Sequence, residues 1–305
     1  MNETHAEDVL APTRDSGTRV AVDAGDYMGE TPVWSMHENA LYWINCEHPP
    51  RVRGWDPLSQ HVRSWPLPER IGGLTLRRAG GPVVCLGSGV YSLDLESGDI
   101  SLIAPSPYPP HVKLHESCVD RTGRLWIGAA DTPIGSDNLF PGQGGVCRLE
   151  GDKLIGMAIG LTVPNSLAFS ADGESMYFCD TLRRVIRRAD IRPKDRALIG
   201  IEEFIRLEPG VTSDGATVDS QDGYWVANFG GSEIRRYFSN GVLDRVFSMP
   251  TSQPTKPVFG GEDLKKIYVT STQIVAPDFP ASGRNGAVVE LDVDIPGLPE
   301  NYFEG

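Results

Sequence analysis

Short apolar runs separated by turn-forming residues recur along the chain, and the clearest copy is Val163-Pro-Asn-Ser-Leu-Ala-Phe-Ser-Ala-Asp-Gly-Glu-Ser-Met-Tyr-Phe-Cys-Asp-Thr181. A polar residue, Asn165, precedes an apolar run from Leu167 to Phe169. Ser170-Ala-Asp-Gly173 supplies a turn, and a second apolar run closes on Tyr177 and Phe178. Two β-prone runs around Asp-Gly predict a β-hairpin.

The same layout returns five more times. Glu30-Thr-Pro-Val-Trp34 leads to Tyr42-Trp43, Gly72-Gly-Leu-Thr-Leu76 to Val83-Val-Cys85, and His115 through Cys118-Val-Asp120 to Trp126. Asp214 leads through Ala216-Thr-Val218 to Trp225, and Lys256 through Val258-Phe259 to Tyr268. With Tyr42, Val84, Trp126, Tyr177, Trp225 and Tyr268 as equivalent points, the intervals are 42, 42, 51, 48 and 43 residues. That is the period of a four-stranded propeller blade, and no copy holds a long amphipathic helical pattern. The expectation is an all-β, six-bladed propeller of four-stranded antiparallel blades, with residues 20–305 as one domain. Val90–Leu93, Gly145–Leu149, Val185–Arg188 and Glu233–Tyr237 read as third strands. Gly286–Val293 alternates as a further strand of the last blade, and Arg19-Val-Ala-Val22 is placed to complete it. Residues 1–19 read as a loose tail, part of which can pair as a strand in closing the ring. The Gly- and Pro-rich stretch from Asp131 to Gly144 reads as a loop over one face.

Alignment of the copies sets Glu30, Gly72, His115, Asn165, Asp214 and Lys256 at one position, just before the first apolar run. If that run is the innermost strand of each blade, these side chains ring one mouth of the central channel. Asn and Asp before strands are ordinary turn residues. Turn chemistry does not account for a Glu before Thr-Pro, nor for its equivalence with the other two. Hard oxygen donors of this kind suit Ca, Mg or Mn, whereas an imidazole from His115 would shift the site toward Zn or Fe.

Composition narrows the field. A formal net charge of −13 disfavours nucleic acid and anionic membranes as partners. Residues 1–19 lack the apolar core of a secretory signal, and no apolar run is long enough to span a bilayer, so the chain reads as cytoplasmic. The five cysteines are widely spaced without a Cys-x-x-Cys motif, which suggests buried free thiols. Trp34, Trp43, Trp126 and Trp225 fall at repeat-equivalent places and read as blade packing. His5, His37 and His61 read as surface residues, while His48 and His111 stand in loops able to border the mouth. No Gly-x-Ser-x-Gly, Walker or dinucleotide motif is present.

Gly29-Glu-Thr-Pro-Val-Trp34, Pro164–Gly173, Cys179-Asp-Thr181, Ser213–Asp219, Phe259-Gly-Gly261 with Tyr268-Val-Thr270, and Pro296-Gly-Leu-Pro299, in that order, resemble the regucalcin/gluconolactonase family over roughly residues 20 to 300. The resemblance implies a six-bladed propeller with one axial divalent metal that opens a sugar lactone. It implies Glu30, Asn165 and Asp214 as ligands and Asp214 as general base, with His115 as a further candidate ligand. Lys113-Leu-His-Glu116 stands where the family commonly has Arg-x-Asn-Asp, so Lys113, His115 and Glu116 are candidate substrate contacts, joined by Asp131 after Gly128. Another metal-assisted ester or phosphotriester hydrolysis, or a non-catalytic cation-binding propeller, are the alternative readings. A small lactone is the expected partner, and a monomer or small homo-oligomer the expected form.

Overall fold

The computed structural model describes residues 13–15, 17–131, 142–274 and 282–305. Residues 1–12 of the expected tail and most of the expected 131–144 loop lie outside them. Six sheets are built. The first holds β3 (Gly29–Ser35), β4 (Ala40–Asn45), β5 (Arg51–Trp55) and β6 (Val62–Pro66); the second β7 (Ile71–Leu76), β8 (Pro82–Leu86), β9 (Gly89–Leu93) and β10 (Ile100–Pro105). The third holds β11 (Val112–Val119), β12 (Leu125–Asp131), β13 (Gly144–Glu150) and β14 (Lys153–Leu161); the fourth β15 (Pro164–Phe169), β16 (Ser175–Asp180), β17 (Val185–Ile191) and β18 (Leu198–Arg206). The fifth holds β19 (Thr212–Val218), β20 (Tyr224–Phe229), β21 (Glu233–Tyr237) and β22 (Leu243–Ser248); the sixth β23 (Pro254–Gly260), β24 (Lys266–Ser271) and β25 (Val288–Asp292).

First strands of neighbouring sheets contact one another in a full circle, β3 to β7, β11, β15, β19, β23 and back to β3. They therefore line the axis of a six-bladed propeller. Closure follows the expectation: β2 (Thr18–Val22) pairs antiparallel with β25 and completes the sixth sheet. In addition β1 (Thr13–Asp15) adds a fifth strand to the fifth sheet, parallel to β22. Among the described residues the helical structure is one 3-10 turn, Thr181–Arg183.

Core side chains fill the spaces between blades. Trp34, Trp43, Trp126 and Trp225 are all buried, as expected of blade packing. Three of these indoles find an acceptor: Trp43 Nε1 donates to Asp26, Trp126 to Asp120 and Trp225 to Asp219, at 2.7, 3.0 and 2.8 Å. Each carboxylate also takes an arginine, Arg53, Arg196 and Arg236 respectively. A buried polar edge is thus paired while the ring buries apolar surface. All five cysteines are free thiols; four are buried and Cys118 is half-buried.

Candidate active site

Every inner strand carries a one-residue bulge at the same end, between Glu30 and Val33, Ile71 and Gly73, His115 and Ser117, Asn165 and Ala168, Ser213 and Ala216, and Pro254 and Pro257. A bulge bends the strand and re-aims side chains. Thr31, Glu116 and Ser166, within three of the bulges, have φ of 42°, 47° and 62°. Left-handed backbone costs a non-glycine residue about 1–2 kcal/mol, which the surrounding sheet must offset.

The pairing register gives a stricter alignment than the apolar pattern. Val33 pairs with Tyr42, Cys118 with Trp126, Ala168 with Tyr177 and Thr217 with Trp225. Three residues before each stand Glu30, His115, Asn165 and Asp214, which are therefore equivalent. In the second and sixth blades Leu74 pairs with Val84 and Val258 with Tyr268, and the same count reaches Ile71 and Thr255. The expected ring of six is corrected here. Gly72 and Lys256 sit one residue further along, in a layer with Thr31, Glu116, Ser166 and Gly215.

The four equivalent residues converge. Each is buried. His115 Nε2 lies 2.8 Å from Asn165 Oδ1, and Asn165 Nδ2 donates to Thr181 Oγ1 at 2.9 Å. Thr181 Oγ1 in turn donates to the Ser213 carbonyl at 3.1 Å, tying the fourth blade to the fifth beside Asp214. Because Asn165 presents its oxygen to the imidazole, Nε2 carries the proton, and Nδ1 accepts from Arg70 Nη2 at 3.5 Å. Burial, followed by the Arg70 charge, pulls His115 down to about 3, so the ring is neutral.

Glu30 Oε2 accepts the Thr31 N–H at 2.7 Å. Burial, then the charge of Glu116, pushes the Glu30 carboxyl up to about 7, against the pull of the Thr31 amide, Lys256 and Arg70. Asp214 is raised well above the usual carboxylate range by burial and then by the charges of Glu30 and Glu116. Two buried carboxylates that oppose each other's ionisation, beside an amide oxygen, form a donor set that fits a hard divalent cation. Among the described residues no three His, Cys, Asp or Glu side chains form a metal cluster; this set has only two carboxylates and is completed by Asn165.

Lys113, half-buried two residues before His115 on β11, runs along Gly87; a β-carbon there would stand 3.2 Å from Nζ and 3.0 Å from Glu69 Oε2. Asp131 is buried at the end of β12, paired with Val112. Glu116 has a setting other than the substrate contact expected of it. Its Oε1 accepts from Lys256 Nζ at 2.8 Å and its Oε2 from the Leu167 N–H at 3.1 Å. Its carboxylate is thus committed to bracing blades. His37, His48 and His61 are exposed, His48 packing edge-on against Tyr27, and His111 meets Gln143 Oε1 at 2.7 Å. His5 lies outside the described residues. Arg70 and Thr181 are side chains of the site to which the apolar pattern assigned no role. Thr181 lay within a family-like motif, and Arg70 directly precedes an inner strand.

Residues 28–273 match the family described as the SMP-30/gluconolactonase/LRE-like region. The chain belongs to that family. A 6-deoxy-6-sulfogluconolactonase of Pseudomonas putida is 35% identical over 290 residues, covering 91% of this chain and 95% of the relative. An L-arabinolactonase of Azospirillum brasilense is 32% identical over 265 residues, 84% of each. The crystal structure of a calcium-binding protein, regucalcin, from Agrobacterium tumefaciens superposes with a TM-score of 0.89 at 23% identity, covering 97% of this chain and 100% of that one. That likeness speaks for the six-bladed fold.

Proposed function

We propose that this protein is a divalent-cation-dependent hydrolase that opens a sugar lactone or a closely related cyclic ester. The reading rests on one observation above the others: two buried carboxylates and an amide oxygen meet at the axial mouth of a chain in the sugar-lactonase family. Its relatives are named for both sulfonated and unsubstituted sugar lactones, and the lactone ring is what those names share. Glu30, Asn165 through Oδ1 and Asp214 would hold the cation, which when bound supplies Lewis acidity at the ring carbonyl. Both His115 nitrogens already have partners, which leaves an all-oxygen set and favours Ca, Mg or Mn over Zn or Fe.

Asp214 serves as general base. Its carboxylate, held at the axial mouth beside Glu30, would take a proton from the attacking water. His115 holds Asn165 in place, and Lys113 and Asp131 face the substrate hydroxyls. Residues 20–305, with the paired strand residues 13–15 and 18–19, act as one propeller domain in a cytoplasmic enzyme, monomeric or a small oligomer.

A pH-indicator assay on chelated protein, with single cations restored against a lactone panel, tests the reading. Hydrolysis should return with the cation. Asp214→Asn should lower turnover by about 10²- to 10⁴-fold, and Glu30→Gln should weaken cation binding in calorimetry. Undiminished cation affinity in both variants would overturn the axial site.

A further inference from the structure

Arg70 is a cation that the reading above uses only for its long contact with His115 Nδ1. It is half-buried immediately before β7, beside the axial residues: its charge reaches Glu30, Cys46 and His115. Its side-chain contacts are two long ones, Nη1 to the Leu114 carbonyl at 3.4 Å and Nη2 to His115 Nδ1 at 3.5 Å. A guanidinium has five N–H donors in a planar fork that matches a carboxylate or a sulfonate. Among the described residues Arg70 forms no ion pair, although the chain carries 41 Asp and Glu against 28 Lys and Arg. A partly desolvated arginine that acts on Glu30 only at a distance and forms no ion pair has donors to spare for a ligand.

Its surroundings fit one kind of ligand. Gly87, whose N–H donates to the Arg70 carbonyl at 3.2 Å, has no side chain and leaves space that Lys113 occupies. Lys113 also forms no ion pair among the described residues; Glu69, which is nearby, is engaged by Ser88. Two cations from the second and third blades thus flank one side of the mouth, while Glu30 and Asp214 hold the axis.

We propose that Arg70, assisted by Lys113, receives an oxyanion substituent of the substrate, so that the enzyme prefers a sugar lactone bearing a carboxylate or sulfonate over its neutral counterpart. The proposal rests on the lactonase reading and refines its substrate class. Arg70 determines specificity, and the bond-breaking step is the one already described.

Glucono-1,4-lactone and glucaro-1,4-lactone share a ring and differ by a terminal carboxylate, which makes them suitable probes. The cation-loaded wild type should favour the glucaro-lactone in kcat/KM. Arg70→Met should lower kcat/KM for that lactone by roughly 10- to 150-fold, the loss of one charge-assisted hydrogen bond, with a much smaller change for the neutral one. Arg70→Lys should retain part of the preference. Equal losses on both lactones, or no preference in the wild type, would overturn the proposal. Calorimetry of glucarate and gluconate gives a second readout. Glucarate alone should weaken in Arg70→Met, whereas equal weakening of both acids would mean that Arg70 reads the carboxylate formed by ring opening, and the proposal fails. If the wild type opens neither lactone, the lactonase reading falls while the acid-binding comparison still judges Arg70.

Discussion

His115 shows how neighbours fix what a side chain can do. An imidazole beside two carboxylates can coordinate a metal, but here Nε2–H faces Asn165 Oδ1 and Nδ1 faces Arg70. The ring is a wedge that aims an amide. His115→Asn should therefore leave the preference of the site for Ca over Zn unchanged in a competition titration. Affinity for either cation should fall by about 2- to 12-fold, the equivalent of one neutral hydrogen bond of about 0.5–1.5 kcal/mol. Thr181 still pins the other end of Asn165. A change of cation preference in the variant would show that the imidazole coordinates. At this scale the sequence is legible where a polar residue breaks an apolar run, as Glu30, Asn165 and Asp214 do. Arg70 precedes its run inside a polar turn segment, where a charge is unremarkable until the fold turns it toward the axis.

At the scale of the strand, the bulges decide which residues share a layer. The apolar pattern located all six inner strands and their partners, because Tyr42, Val84, Trp126, Tyr177, Trp225 and Tyr268 each pair with an inner-strand residue just past the bulge. Every inner strand carries that bulge, so it offsets no blade relative to another; Gly72 and Lys256 stand two residues, not three, before the paired Leu74 and Val258, and their place in the polar pattern hid that difference. The bulge layer has its own packing demand. Gly215, next to Asp214, lies against the stem of Lys256, and a β-carbon there would stand 2.4 Å from Cγ and 2.5 Å from Cβ. Gly215→Ala must displace that stem, and overpacking of this kind costs about 1–3 kcal/mol. Denaturant unfolding should show the loss. Wild-type stability together with wild-type cation affinity would mean that Lys256 yields freely and braces nothing.

Across the whole molecule, the third and sixth blades face each other through the axis, and Lys256 and Glu116 close that distance. The pair is 140 residues apart in sequence, with N···O at 2.8 Å and side chains only 7% and 2% exposed. Lys256 Nζ also donates to the Ser117 carbonyl at 3.2 Å, and Glu116 takes the Leu167 N–H from the fourth blade. Burial alone would lower the proton affinity of the ammonium, but Glu116 outweighs that and holds Lys256 above its ordinary value. Lys256 also lines a cavity of about 60 Å³ together with Ser117, Cys118 and Arg121. Glu300 and Asn301 reach the same cavity from the C-terminal segment, where Asn301 Nδ2 donates to the Val119 carbonyl. The brace thus lies between this cavity and the mouth that holds Glu30 and Asp214. Such a pair adds little net stability relative to an apolar pair of the same shape, yet breaking it leaves a buried charge unmatched. Lys256→Met should therefore destabilise the protein by about 3–5 kcal/mol, whereas Lys256→Met combined with Glu116→Gln should recover a large part of the loss. Urea unfolding of the two single variants and the double variant measures the coupling. Additive losses would show that the two groups act separately and that the blades are held across the axis by packing alone.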